Sequence, residues 1–161
     1  MGVDRFEAMI QPLYAVALRL AYTMLQSVPE AEDAVQDAAV RAWRNLDRLR
    51  DGEDPRPWFL TIVANRCRTR RRAARRRLRE LSWPEREHAS AGWPEDRDDL
   101  HRAIRALDRR SRLVLVLRYY CDLPYEDVAA IAGLSPDAAR ARVSRAVRHL
   151  RADLDVSEVG A

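Results

Sequence analysis

The chain of 161 residues fits one domain or two small ones and carries a formal net charge of +4. Arginine supplies all 29 of its basic residues; its fork suits phosphates, but the arginine codons of a GC-rich genome account for the missing lysine, so placement of the arginines matters more than their number. Cys67 and Cys121 lie far apart with no second ligand beside either, and the three histidines are scattered, which excludes a disulfide framework, a zinc site and a partnered nucleophile; no enzyme, metal or cofactor is expected. The first residues show no basic stretch leading into an apolar run, and no segment approaches the roughly 18 apolar residues that cross a bilayer, so a cytoplasmic protein without membrane insertion is expected.

From Val3 to Leu25 apolar residues recur at helical spacing (Phe6, Met9, Ile10, Leu13, Val16, Ala17, Leu20), interrupted at Pro12, which predicts one amphipathic helix or two. Ser27, Val28 and Pro29 make a break. Glu30 to Asn45 then carries acids in its first turns and arginines near its end, the polarity a helix dipole favours. Leu46 to Pro57, with Gly52, Pro55, Pro57 and mixed charges, reads as a loop. Trp58 opens a long helix with Phe59, Ile62, Val63 and Cys67 on one face, and this helix runs into nine arginines between Arg66 and Arg79.

Composition changes at Glu80. Residues 80–99 hold seven acids against two arginines, with Pro84, Gly92, Pro94 and the paired Trp-Pro-Glu triplets at Trp83 and Trp93, and read as a linker. Helical periodicity returns at Leu100 and continues to about Leu154. No region alternates apolar and polar residues at period two, so the predicted class is all-α: two small helical domains joined by an acidic linker. The boundaries are residues 1–81 for the first domain, 82–99 for the linker, 100–155 for the second domain and 156–161 for a tail.

The stretch from Tyr125 to Leu150 is the most specific. A short helix over Glu126–Ala132, a turn at Gly133 and Leu134, and the start Ser135-Pro136-Asp137 form a helix-turn-helix signature. On a helical wheel Ala139, Val143, Ala146, Val147 and Leu150 form the core stripe. The opposite face then presents Asp137, Ala138, Ala141, Ser144, Arg145 and Arg148, flanked by Arg140 and Arg142, a set suited to the major groove, where arginine reads guanine and grips phosphate. A solvated arginine face on an ordinary surface helix is the bland alternative. The Arg66–Arg79 run likewise admits simple solvation or RNA binding, but Trp58 and Phe59 upstream add aromatic faces beside cations, the combination that holds unpaired bases. Trp58 serves equally well as core.

Taken in order, these segments resemble an extracytoplasmic-function (ECF) sigma factor of the sigma-70 superfamily, and the resemblance spans nearly the whole chain. Glu32-Asp33-Ala34-Val35-Gln36-Asp37 with Arg41-Ala42-Trp43 resembles the family's polymerase-docking helix in region 2. Pro57-Trp58-Phe59-Leu60 through Ala64-Asn65-Arg66 resembles its promoter-melting segment. Leu117-Arg118-Tyr119 and Leu123-Pro124-Tyr125-Glu126-Asp127-Val128-Ala129 resemble region 4.

The resemblance implies that Asp33, Gln36, Asp37 and Arg41 contact the clamp coiled coil of core RNA polymerase. It implies that the loop from Asp47 to Arg56, with Trp58, Asn65, Arg66, Arg68 and Arg70, holds the melted −10 element of promoter DNA. Arg140, Arg142, Ser144, Arg145 and Arg148 would read the −35 element, and an anti-sigma factor would serve as inhibitor. Ala139 and Ala141 depart from the family's recognition helix, so base preference does not transfer. Pro124 stands where the family often starts its helix with serine. A stand-alone helix-turn-helix regulator, binding DNA tightly without polymerase, and a nonspecific nucleic-acid binder remain as alternatives.

Overall fold

Alanine-rich seams and capped helix starts dictate the first half of the chain. The computed structural model describes residues 2–80 and 99–159, and among these every regular element is helical. The chain divides into two units, Met1–Ala91 and Gly92–Ala161. The acidic linker, residues 82–99, lies outside the described residues apart from Asp99, and so do the last two residues of the tail.

In the first unit, α1 (Gly2–Ile10) passes through a 3₁₀ turn at Gln11–Leu13 into α2 (Tyr14–Leu25), followed by α3 (Val28–Arg44) and α4 (Pro55–Glu80). Pro12 sits in the 3₁₀ turn, where a missing N–H costs little. Helices α2, α3 and α4 pack on one another. Ala17, Leu20 and Ala21 of α2 meet Ala31, Ala34, Val35, Ala38 and Ala42 of α3, and Phe59, Leu60, Val63, Ala64 and Cys67 of α4 close the seam; none is measurably exposed. The alanines bring the backbones close, and Phe59 and the leucines fill the space between, each large side chain contributing about 1.5–3 kcal/mol. Burial pushes the Cys67 thiol up to about 12, so it packs as a protonated, unreactive group.

The Gly2–Leu25 stretch reaches a mean hydropathy of 1.2, long and apolar enough to cross a bilayer by length and composition alone, above the sequence expectation. Here it is an interrupted pair of helices whose stripe Ile10, Leu13, Ala17, Leu20, Ala21 and Tyr22 is buried in this unit.

Two helix starts differ from the sequence reading. The third helix begins at Val28 rather than Glu30, because the Ser27 hydroxyl accepts a hydrogen bond from the Glu30 N–H at 3.4 Å and Pro29 is tolerated in a first turn. The fourth begins at Pro55 rather than Trp58: Asp54 accepts from the Arg56 N–H at 2.9 Å, an N-cap followed by proline. The expected loop therefore ends three residues earlier and contains a 3₁₀ turn at Leu46–Arg48.

In the second unit, α5 (Asp99–Ala106) and α6 (Arg109–Leu115) lead through a π-turn at Val116–Tyr120 to α7 (Tyr125–Ala132) and α8 (Pro136–Val159). Helix α8 packs on α5, α6 and α7. Asp108 caps α6 by accepting from the N–H groups of Arg110 and Ser111, at 3.0 and 3.1 Å. The Arg112 guanidinium donates to the carbonyls of Ile104, Arg105 and Leu107, satisfying the open end of α5. Gly133, at φ +70°, closes α7 in the left-handed region, and the Leu134 N–H reaches back to the Ala129 carbonyl at 2.9 Å. Ser135 then caps α8, its hydroxyl accepting from the Ala138 N–H at 3.2 Å.

Candidate functional site

The outward face of α3 follows from the inward one. With Ala31, Ala34, Val35 and Ala38 buried, Glu30, Asp33 and Asp37 fall at helical spacing on one flank, while Glu32, Gln36 and Arg41 are exposed. That flank is met by α4. The Arg70 guanidinium lies 3.1 Å from Glu30 Oε2, 3.6 Å from Asp33 Oδ2 and 3.0 Å from Asp37 Oδ2, and Arg66 Nη2 lies 3.5 Å from Asp37 Oδ2. Burial alone would weaken the Arg70 charge, but hydrogen bonds to Asp37 and Glu30 dominate and raise its pKa.

The residues expected at the melted strand therefore divide. Arg66 and Arg70 turn toward α3, and Arg66 Nε is buried without a hydrogen-bond partner. Asn65 is exposed on α4 and accepts from Arg68 Nη1 at 3.1 Å; Trp58 is half-buried at the helix start. Further along, Arg72, Arg75, Arg76 and Arg79 are exposed at spacings of three and four residues on one helix face.

On α8, Ala139, Val143 and Ala146 are buried and Val147 and Leu150 half-buried, while Arg140, Ala141, Ser144, Arg145 and Arg148 are exposed. The shoulder arginines are not alike. Arg140 stacks over the Tyr125 ring at 4.9 Å, a ring Arg118 also faces at 5.2 Å. Arg142 is half-buried, 3.5 Å from Asp108 Oδ1 and 3.4 Å from the Ser111 hydroxyl. The Ser111 hydroxyl donates to Asp108 at 2.5 Å, and this bond, opposed by partial burial, holds the Asp108 carboxyl below its ordinary value. Among the described residues no His, Cys, Asp or Glu group is arranged to hold a metal ion.

Sequence reasoning missed Glu30, Asp108, Ser111, Arg118 and Tyr125. Glu30 stands three residues before Asp33 and so shares its face, and Asp108 three before Ser111 is a capping spacing, so both carried a readable signal. The stacking of Arg140 on Tyr125 joins separate helices and carried none.

Sequence profiles of Sigma-70 region 2 and Sigma-70 region 4 match residues 9–77 and 97–150. RNA polymerase sigma factor SigV of Bacillus subtilis is 28% identical over 139 residues, covering 84% of this chain and 82% of that protein. ECF RNA polymerase sigma factor SigL of Mycobacterium tuberculosis is 29% identical over 168 residues, covering 95% and 92%. Among solved structures, the sigma factor RpoE of Bartonella quintana, in complex with the anti-sigma factor NepR, gives a TM-score of 0.78 at 25% identity, covering 95% of this chain and 98% of that one. CnrH, in complex with the cytosolic domain of CnrY, gives 0.64 at 27% identity, covering 94% and 88%. With two consecutive sigma regions matched across two helical units, the chain belongs to the ECF branch of the sigma-70 family of transcription initiation factors.

Proposed function

We propose that this protein docks on core RNA polymerase through α3 and directs it to promoters by holding the melted −10 element along α4 and reading the −35 element with α8. The observation that carries this reading is the orientation of α8: Val143 is buried while Ser144, Arg145 and Arg148 face solvent behind a capped helix start. Such a face fits the major groove. Asp33, Gln36, Asp37 and Arg41 would form the docking contact with the clamp coiled coil. Trp58, Asn65 and Arg68 would meet the unpaired strand, with Arg66 and Arg70 behind them. Arg140, Arg142, Ser144, Arg145 and Arg148 would serve the upstream element.

The family sets the protein among initiation factors rather than enzymes, and action on DNA with polymerase supports a cytoplasmic location. The solved relatives RpoE and CnrH each carry a bound partner, one of them a named anti-sigma factor, which supports a corresponding inhibitor here. The deciding experiment is transcription by core polymerase with and without this chain on a genomic fragment library. New start sites preceded by two elements at fixed separation are expected. No new start site, no co-purification with polymerase and tight promoter binding by the chain alone would move the assignment to a stand-alone regulator.

A further inference from the structure

Arg70 sits within a run whose arginines invite assignment to nucleic acid, yet its surroundings point elsewhere. Its guanidinium is within 3.6 Å of three carboxylates, those of Glu30, Asp33 and Asp37, all on one flank of α3. Its side chain is 25% exposed, whereas those three acids are 55%, 62% and 44% exposed. The cation lies behind and the carboxylates lie in front. An ionised carboxylate has about four lone-pair sites, so an acid engaged from behind by Arg70 keeps capacity to accept a second donor from outside. Three carboxylates at this spacing also repel one another, and a guanidinium among them offsets that repulsion and limits their rotamers. Arg66 adds the same support to Asp37 from one helical turn earlier.

From this we infer that Arg70, assisted by Arg66, is a positioning residue of the polymerase-docking face: it braces Asp33 and Asp37 from behind and makes no contact with the melted strand. The inference rests on the proposed docking role of α3. It assigns to a member of the arginine run a function opposite to that of its neighbours. Arg72, Arg76 and Arg79 are exposed further along α4, and Arg70 acts on protein recognition through the acids it holds.

The test uses the full chain and core polymerase. Affinity is measured for wild type, Arg70→Ala, the pair Asp33→Asn with Asp37→Asn, and the combination of all three. Base preference at the −10 element is then measured on holoenzyme assembled with saturating amounts of each variant. Arg70→Ala is expected to weaken polymerase binding about tenfold, the size of coupling seen within one ion-pair network. It should leave −10 preference unchanged once holoenzyme is saturated, and it should have little further effect when both aspartates are already asparagine. Arg70→Lys should recover part of the affinity, because it restores the charge without the fork.

If Arg70→Ala unfolds the first unit by circular dichroism, Arg70→Gln, which keeps part of the stem and two N–H donors but not the charge, is read in its place. Unchanged polymerase affinity together with weakened or altered −10 binding would overturn the inference. So would tighter polymerase binding, which would make the network a latch that docking must break. If the two aspartate substitutions alone leave polymerase affinity untouched, the docking role of α3 falls, and the bracing role with it.

Discussion

Arg142 and Arg145 stand three positions apart on α8 and invite the same role, but their surroundings separate them. Arg145 is exposed, with no hydrogen bond or ion pair to another described residue, whereas Arg142 is held between Asp108 and Ser111 at the start of α6. A guanidinium held by its own domain meets a fixed geometry and donates what remains to a phosphate; a free one adapts to a base edge. Arg145→Ala is therefore expected to lose about 1–3 kcal/mol at one base pair of the −35 element and to relax preference there. Arg142→Ala should weaken every promoter nearly alike and also lower the thermal midpoint of the second unit, because the link to α6 is lost. Quantitative binding of holoenzyme to a randomised −35 library, with thermal unfolding of each variant, checks both. A base-specific loss in Arg142→Ala would reverse the assignment.

At the scale of elements, the helix-turn-helix depends on one backbone position. Gly133 occupies φ +70°, where a side chain is strained even though nothing lies within 4 Å of an added Cβ. Gly133→Ala is thus expected to cost about 1 kcal/mol from backbone strain alone, read as a lowered unfolding midpoint with no change in the cooperativity of the transition. A neutral substitution would mean that the turn relaxes. This glycine was legible in the sequence, as were the core stripe of α8 and its serine cap, because each depends on a few neighbouring residues. The start of α4 was misread because Pro55 and Pro57 weigh toward loop, although Asp54 with Pro55 is also a helix start. The π-turn at Val116–Tyr120 left no mark in the periodicity, since one extra residue in a turn shifts an apolar stripe without breaking it. The division of the arginine run between the α3 flank and the outer face of α4 was equally hidden: it is set by which way each side chain leaves α4, and the composition of the run says nothing of that.

At the scale of the whole molecule, the proposed function divides the work between two units of modest size. A unit of this size buries a smaller fraction of its surface than a larger domain does, and one helix offers limited contact, so on the proposed reading affinity comes from holding both promoter elements at once. Changing the separation of the −35 and −10 elements by about five base pairs, half a helical turn, places them on opposite sides of the duplex. Initiation by the holoenzyme is expected to fall at least about tenfold in a run-off assay, while a full-turn change should be tolerated better if linkage sets the penalty. Equal activity at all separations would mean that one unit alone selects the promoter.

The tether between Arg142 and the Asp108–Ser111 pair, together with the seat of Arg140 on Tyr125, has a practical corollary for rewiring gene control. The helix proposed to read the −35 element is not a detachable cassette. Transplanting residues 136–150 into a sibling factor would carry the letters but leave behind the groups that aim them, and a chimera that omits Asp108, Ser111 and Tyr125 should misread even its own target.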